Sequence, residues 1–314
     1  MASLTGAITI CVTTYRRPEL LTHLLISLVT VTVPPETGLK IEVLVIDNDG
    51  WESGRAVTEH VRLPWKLRYA VEPRRGIAQA RNAAVQYAGS TDFIAFVDDD
   101  EIVEPQWLRQ LIRTAETFNA DIVAGPVLPK FSDGVPRWFV QGGFADRPRY
   151  ATGSIPKALG TGNVLIRRGV FREIGVFDER FGSTGGEDTD FFRRARNAGC
   201  KIVWCDEALA HEHIGTDRGN LRSLLRREYH DASLTARIEM ASSPGIITCA
   251  HRSLKGAVRT VQGVLALPLA LLLGRLQAVR ALQRICVGAG MLGGLMHLCY
   301  EPYRSASPLS AGRL

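Results

Sequence analysis

The chain has 314 residues, 46% hydrophobic and 22% charged, an ordinary globular composition that excludes a disordered, collagen-like or disulfide-scaffolded protein. At roughly 150 residues per domain, this length suits two units, or one large α/β domain with an appendage. The net charge of +6 is uneven: residues 251–314 carry +7 and the other 250 residues −1, which argues against nucleic acid as a partner and points the basic, apolar tail at a membrane surface.

The first half alternates strands and helices. Ala7–Thr13 is apolar and β-branched, a buried strand, and Arg17–Val31 carries a helical leucine stripe before Pro34-Pro35. Ile41–Ile46 is a second strand closing on the turn Asp47-Asn48-Asp49-Gly50, and Lys66–Val71 a short third. Gly76–Ala88 reads as a helix, Phe93–Val97 as a strand ending on Asp98-Asp99-Asp100, Pro105–Phe118 as a helix and Asp121–Pro126 as a strand. Residues 130–160 form a loop-rich excursion. Order returns with the strand Val164–Arg167, a glycine-rich loop from Gly182 to Gly186, a helix from Glu187 to Ala198, the strand Ile202–Cys205 and a basic helix over Leu221–Arg237. Such alternation predicts a doubly wound, mostly parallel α/β sheet with helices on both faces, its ligands beyond the carboxyl ends of the strands.

The tail differs. Val261–Leu273 is apolar for thirteen residues and Ile285–Leu298 for fourteen, both short of the ~20 that span a bilayer. Arg275, Arg280 and Arg284 between them would be translocated if both runs crossed, so the expectation is an in-plane or re-entrant helical hairpin with its bases on anionic headgroups. A hairpin packed on protein is the alternative. The expected division is a catalytic domain over residues 1–240 and a membrane-associating helical tail over 241–314. Six cysteines (Cys11, Cys200, Cys205, Cys249, Cys286, Cys299) contain no CxxC pair, and no secretory leader is recognisable. Both readings point to reduced thiols in the cytoplasm, at the inner face of the plasma membrane.

Several residues invite chemistry. Three carboxylates in a row, Asp98 to Asp100, repel one another, and a divalent cation held with a substrate's phosphates relieves the cost; helix capping uses the same residues. Asp47 suits a base or ribose contact, or an Asx turn. Arg74-Arg75-Gly76, with Arg81 and Asn82 in the helix behind, suits phosphate or plain solvent exposure. Glu187-Asp188 behind a mobile glycine loop offers a general base, though first-turn acids are common in any helix. His211-Glu212-His213 could lend an imidazole to the aspartate-bound cation. Trp138 and Phe139 either stack on a sugar or pack.

The motifs come in a known order: ITICVTTYRRPELL, IEVLVIDND, GIAQARNAAV, FIAFVDDDE, PQWL, GTGNVLIRR and GVFDERFGSTGGEDTDFFRRARNAG, across about residues 7–205. The chain thereby resembles the family 2 glycosyltransferases of GT-A fold, especially their bacterial exopolysaccharide (succinoglycan-type) branch. The resemblance implies that Asp188 is the catalytic base, with Glu187 beside the acceptor. It implies that Asp47, Thr14, Tyr15 and Arg17 line the nucleotide pocket, with Arg81 near the phosphates. Asp98 and Asp100 look like the ends of the family's D-x-D motif, and Asp99 between them leaves the Mn²⁺ or Mg²⁺ ligands ambiguous; His213 is a further candidate ligand. Gly162 and Asn163 match a loop near the sugar, and Arg194 an arginine one turn after the base.

The implied reaction is inverting transfer of one sugar from a nucleotide-diphosphate sugar, with uridine the family's usual nucleotide. The membrane-leaning tail suggests a lipid-linked saccharide acceptor. The first strand ends in Thr-Tyr-Arg-Arg rather than Pro-x-Tyr-Asn, which fits the exopolysaccharide branch. No Q-x-x-R-W motif is present, which argues against processive polymerisation. The alternatives are a sugar nucleotidyltransferase, for which TTYRRP lacks the needed glycines, and a non-catalytic membrane partner of the same fold.

Overall fold

A computed structural model describes residues 6–33, 38–242, 245–296 and 298. Pro34-Pro35, Cys299, Glu301, Arg304 and Arg313 lie outside the described residues. The strands are β1 (Ala7–Thr14), β2 (Lys40–Asp47), β3 (Lys66–Val71), β4 (Phe93–Asp98), β5 (Glu101–Val103), β6 (Ile122–Ala124), β7 (Val127–Phe131), β8 (Asn163–Arg167), β9 (Ile202–Trp204) and β10 (Ala210–Ile214). The helices are α1 (Pro18–Val29), α2 (Arg55–His60), α3 (Ile77–Tyr87), α4 (Trp107–Phe118), α5 (Arg137–Gln141), α6 (Arg168–Ile174), α7 (Glu187–Asn197), α8 (Leu221–Ser242), α9 (Ile246–Leu273) and α10 (Arg275–Leu295).

Among the described residues, contacts divide the chain into two compact units, one built from residues up to Leu128 with Arg147–Glu212, the other from Pro129–Asp146 with residues 213–298. The expected boundary at residue 240 falls inside α8.

In the first unit a seven-stranded sheet runs β3-β2-β1-β4-β8-β6-β9. It is mostly parallel, with β8 antiparallel to both β4 and β6. Successive side chains of a strand point to opposite faces, and the two faces fill two separate cores. Ile8, Ile10, Val12, Phe93, Ala95 and Val97 pack with α1 and α4, through Leu21, Leu24, Leu25, Leu28, Trp107 and Leu111. Cys11, Leu44, Ile46, Ile94 and Phe96 pack with α3, α6 and α7, through Ala80, Ala84, Phe171, Phe191 and Phe192. Each such fully buried side chain stabilises the fold by about 1.5–3 kcal/mol. Helix ends follow local chemistry: Pro18 opens α1, where its missing N–H costs nothing, and Asn119 ends α4 in the left-handed conformation that asparagine tolerates. The five described cysteines are free thiols.

The register aligns the functional strand ends. Thr14 pairs with Asp47 and Thr13 with Asp98, on either side of β1, and Val97 pairs with Asn163. β5 and β10 run antiparallel, placing Glu101 opposite Glu212.

In the second unit the excursion is more ordered than expected. α5 puts Phe139 into a cluster with Phe144, Ile214, Leu224 and Val279, and Arg275 lies over the Trp138 ring at 4.8 Å. Trp138 and Phe139 therefore pack rather than stack on a ligand. α10 packs closely on its neighbours because glycines remove the side chains between them: Gly288 and Gly256 face one another, and Gly290 and Gly294 lie against the Tyr229 and Ser233 backbones of α8. The apolar count of the tail needs correction. The thirteen-residue apolar run is only the C-terminal part of α9, a 28-residue helix that by length and composition could cross a membrane. The apolar count missed it because His251, Arg252, Lys255 and Arg259 sit in its N-terminal half.

Candidate active site

The carboxyl ends of β1, β2 and β4 bring the candidate residues together. Past Thr14, the chain turns at Arg16, whose φ of +54° is the left-handed conformation that few non-glycine residues adopt. Arg16 is held there by Asp49 at 3.1 Å. The turn directs Arg17 onto the aspartate run: its Nη1 lies 3.1 Å from Asp99 Oδ1 and 3.3 Å from Asp100 Oδ2. Thr14 Oγ1 donates to the other oxygen of Asp99 at 2.8 Å. Asp99 is thus a buried anchor, its acidity weakened by burial against the opposing pull of Arg17. Asp98 and Asp100 keep more contact with solvent.

Arg81, buried on α3, reaches across to Asp98 Oδ1 at 3.2 Å and to Glu187 Oε1. Glu187 is itself 2% exposed. Burial pushes its carboxyl up, Arg81 opposes the shift, and Asp188 adds to it. Glu187 Oε2 is buried without a hydrogen-bond partner. Asp188, the next residue, is half-buried; its Oδ1 accepts from the Thr189 N–H at 2.6 Å and from the Thr189 hydroxyl. Its Oδ2 faces Gly160, where a Cβ would stand 3.5 Å away. Gly162, two residues on, lies against Asp98 and Glu101, so a Cβ there would collide with the Glu101 carboxylate.

α3 also holds the glycine-rich loop that carries Glu187 and Asp188. Ile77 N–H donates to Gly182 O at 3.1 Å. Asn82 bonds Phe177 in both directions at 2.9 Å. Gly76, with φ +150°, allows the close approach of this loop to the start of α3.

Three of the candidate residues already hold partners within the protein. Asp47 is fully buried: Oδ1 accepts from Asp49 N–H at 3.0 Å, and Oδ2 from Gly54 N–H at 2.6 Å and the Tyr69 hydroxyl at 2.8 Å. It builds the loop after β2 as an Asx turn. Asn163 Oδ1 accepts from Trp107 Nε1 at 2.7 Å, and its amide donates to Pro126 O and Ala208 O at 2.9 and 2.6 Å; it ties strand ends together. Arg194 pairs with Asp190 at 2.7 Å and donates to Ile174 O and Val176 O, away from the carboxylates. His213 sits on β10 at the start of the second unit and joins no group of three or more metal-ligating side chains among the described residues. Its neighbour His211 lies 2.9 Å from Glu104 through Nε2.

Glu101, the fourth acid of Asp98-Asp99-Asp100-Glu101, is not among the residues singled out from the sequence; it is 2% exposed, and its carboxyl is pushed well up by burial, then by Asp98 and Asp100. Its place directly after the aspartates is the signal. Arg75, a phosphate candidate with Arg74, lies over the Tyr15 ring at 3.2 Å, a contact that spacing does not reveal.

The described residues include no ready-made cluster of three or more ligands, because Arg17 and Arg81 already hold the aspartates. The donor chemistry nevertheless fits a hard cation. Asp98 and Asp100 offer partly solvent-accessible oxygen ligands beside the buried Asp99, and these three carboxylates outnumber the two guanidinia.

The sequence model of glycosyl transferase family 2 matches residues 9–175, and that of glycosyl transferase family group 2 matches residues 93–292. The chain belongs to glycosyltransferase family 2. Within that family it is 36% identical over 293 residues to succinoglycan biosynthesis protein ExoM of Rhizobium meliloti, covering 91% of this chain and 93% of the relative. This places the transferase in the exopolysaccharide type and removes the nucleotidyltransferase alternative. Its fold is that of GT-A glycosyltransferases. Mannosyltransferase PcManGT of Pyrobaculum calidifontis, solved with GDP-Man and Mn²⁺, superposes with a TM-score of 0.64 at 15% identity, covering 94% of this chain and 88% of that one. Staphylococcus aureus TarS 1-349, solved with UDP, gives 0.52 at 16% identity, covering 91% and 90%.

Proposed function

We propose that the transferase inverts the anomeric centre of a nucleoside-diphosphate sugar, of the UDP class, while moving one sugar to a saccharide acceptor carried on a lipid. The observation that carries this reading is the contrast between neighbouring carboxylates. Glu187 is buried and tied to Arg81, whereas Asp188 Oδ2 faces the Gly160–Gly162 loop beside Asp98. Asp188 is the general base: Oδ2 accepts the proton of the acceptor hydroxyl as that oxygen bonds to the anomeric carbon and the diphosphate leaves from the opposite face. Thr189, donating to Oδ1, keeps the carboxylate oriented. Glu187 and Arg81 fix the start of α7, and with it Asp188, relative to the end of β4; the remaining contribution is positioning.

Asp98 and Asp100 would hold Mn²⁺ or Mg²⁺, with Asp99 kept inward by Thr14 and Arg17. When bound, the ion supplies positive charge where the leaving diphosphate becomes more negative. Thr14, Tyr15 and Arg17, with the loop that Asp47 shapes, border the nucleotide pocket. Residues 251–314 meet the membrane surface: α9 exposes Leu265, Leu269 and Leu272, with exposed Lys255 and Arg259 toward its start. That placement, at the cytoplasmic face, suits an acceptor embedded by its lipid.

The test is Asp188→Asn. It should retain UDP affinity and lose sugar transfer by about 10³-fold or more. Loss of UDP binding together with transfer would contradict the assignment of Asp188 as base.

A further inference from the structure

A cleft of about 300 Å³ is bordered by Gly160, Gly162 and Asn163. Its walls include Pro126, Pro148, Tyr150, Leu159 and Trp204, with Arg147 and Arg149 among them. We propose that this cleft is the acceptor subsite and takes a neutral pyranose ring. The proposal rests on the reading of Asp188 as the base.

Position is the first argument. Gly160 and Gly162 line the cleft, and the same two residues face Asp188 Oδ2 and Asp98 Oδ2. A base must lie within hydrogen-bond reach of the hydroxyl it deprotonates. A ring seated in the cleft presents its outermost hydroxyl at the Gly160 rim, beside that oxygen. A side chain at either glycine would occupy the path.

Lining chemistry is the second. The cleft is at the small end of ligand sites and mostly apolar, with a few polar groups placed to orient what enters. The Tyr150 and Trp204 rings meet edge to face at 5.2 Å, and Pro126 and Pro148 add to the apolar lining. Rings of this kind accept the C–H face of a pyranose while their polar tips serve the hydroxyls. The Tyr150 hydroxyl accepts from Ala158 N–H at 3.3 Å, which fixes the wall leading into the Gly160 rim.

Charge is the third. Arg147 lies 2.5 Å from Glu212. Arg149 spends Nε and Nη2 on the two oxygens of Asp206 at 2.9 and 2.8 Å. Phosphate recognition draws on guanidinia whose charge is left for the anion. Here each cation carries its own carboxylate, and the guanidinium–carboxylate pairs offer donors and acceptors side by side, as a neutral polyol needs.

The experiment uses the whole 314-residue chain and two variants, Ala158→Trp and Arg149→Ala. Ala158 is exposed and lines the cleft, so a larger side chain fills the space without disturbing a core. UDP binding is measured by calorimetry with Mn²⁺. Sugar transfer is measured from radiolabelled UDP-sugars to lipid-linked saccharides in native membranes. Ala158→Trp should leave UDP affinity unchanged and raise the acceptor KM by about tenfold or more, a loss of roughly 1.4 kcal/mol or more of acceptor binding. Arg149→Ala should act in the same direction. An active wild type beside an Ala158→Trp variant with unchanged acceptor KM overturns the subsite alone. Loss of UDP affinity in Ala158→Trp also overturns it, by giving the cleft to the donor. A folded wild type that neither binds UDP nor transfers sugar overturns the glycosyl-transfer reading itself and the subsite with it.

Discussion

Arg81 joins Asp98 to Glu187: one guanidinium, 6% exposed, ties the last residue of β4 to the first residue of α7. Breaking a buried ion pair by removing one partner costs about 3–5 kcal/mol, whereas replacing both with uncharged side chains costs far less. Arg81→Met should therefore lower unfolding stability by about that amount in urea titrations, and adding Glu187→Gln should restore much of it. Equal, additive losses from the two substitutions would show that the pair is not coupled.

Glu187 also predicts a pH dependence. Its carboxyl is raised from the ordinary glutamate value of 4.5 by burial, with Asp188 adding and Arg81 opposing. The folded chain then holds this proton more tightly than the unfolded chain, so stability falls as pH rises through that range. Glu187→Gln removes the slope, and its stability relative to wild type should improve from pH 4.5 toward neutrality. Paired urea titrations across that range check the sign. A variant that loses ground to wild type with rising pH would contradict it.

Asn163 separates a structural role from a sugar contact. Its oxygen takes the buried Trp107 Nε1–H, and its amide serves two backbone carbonyls. Asn163→Ala orphans those groups and should cost about 2 kcal/mol or more, seen as a lower Tm, with UDP affinity of the folded protein unchanged. Asn163→Asp should cost more, since a carboxylate oxygen would face both carbonyls. Weaker UDP-sugar binding at unchanged Tm and unchanged UDP affinity would restore the sugar-contact role.

The strands and most helices of the first unit were legible because burial on both faces imposes apolar runs, and turn residues mark their ends. The clustering of Asp98, Asp99, Asp100, Glu187 and Asp188 was legible as a motif order. The protein partners of Asp47, Asn163 and Arg194 were not. A polar side chain at a strand or helix end uses the same atoms to satisfy the backbone or to meet a ligand, and only the fold decides between them. Asp47 turned to Asp49, Gly54 and Tyr69, and Arg194 to Asp190 and two carbonyls. The length of α9 was also hidden, because counting stopped at Arg259 although the helical backbone starts at Ile246.

α9 predicts membrane attachment. Leu265, Leu269 and Leu272 are 74%, 60% and 85% exposed, a surface whose burial in a bilayer gains about 25 cal/mol per Å². Changing all three to Glu should shift the protein from floating with anionic vesicles to the soluble fraction. Undiminished flotation of the triple variant would remove α9 from the contact.

The most direct measurement for the central claim is calorimetric titration of UDP into the purified protein, with Mn²⁺ and then with excess chelator, for wild type and Asp100→Ala. The account predicts binding that needs Mn²⁺ and is lost in Asp100→Ala. Folded wild-type protein that binds no UDP under either condition, or an Asp100→Ala variant that binds as wild type does, would contradict it.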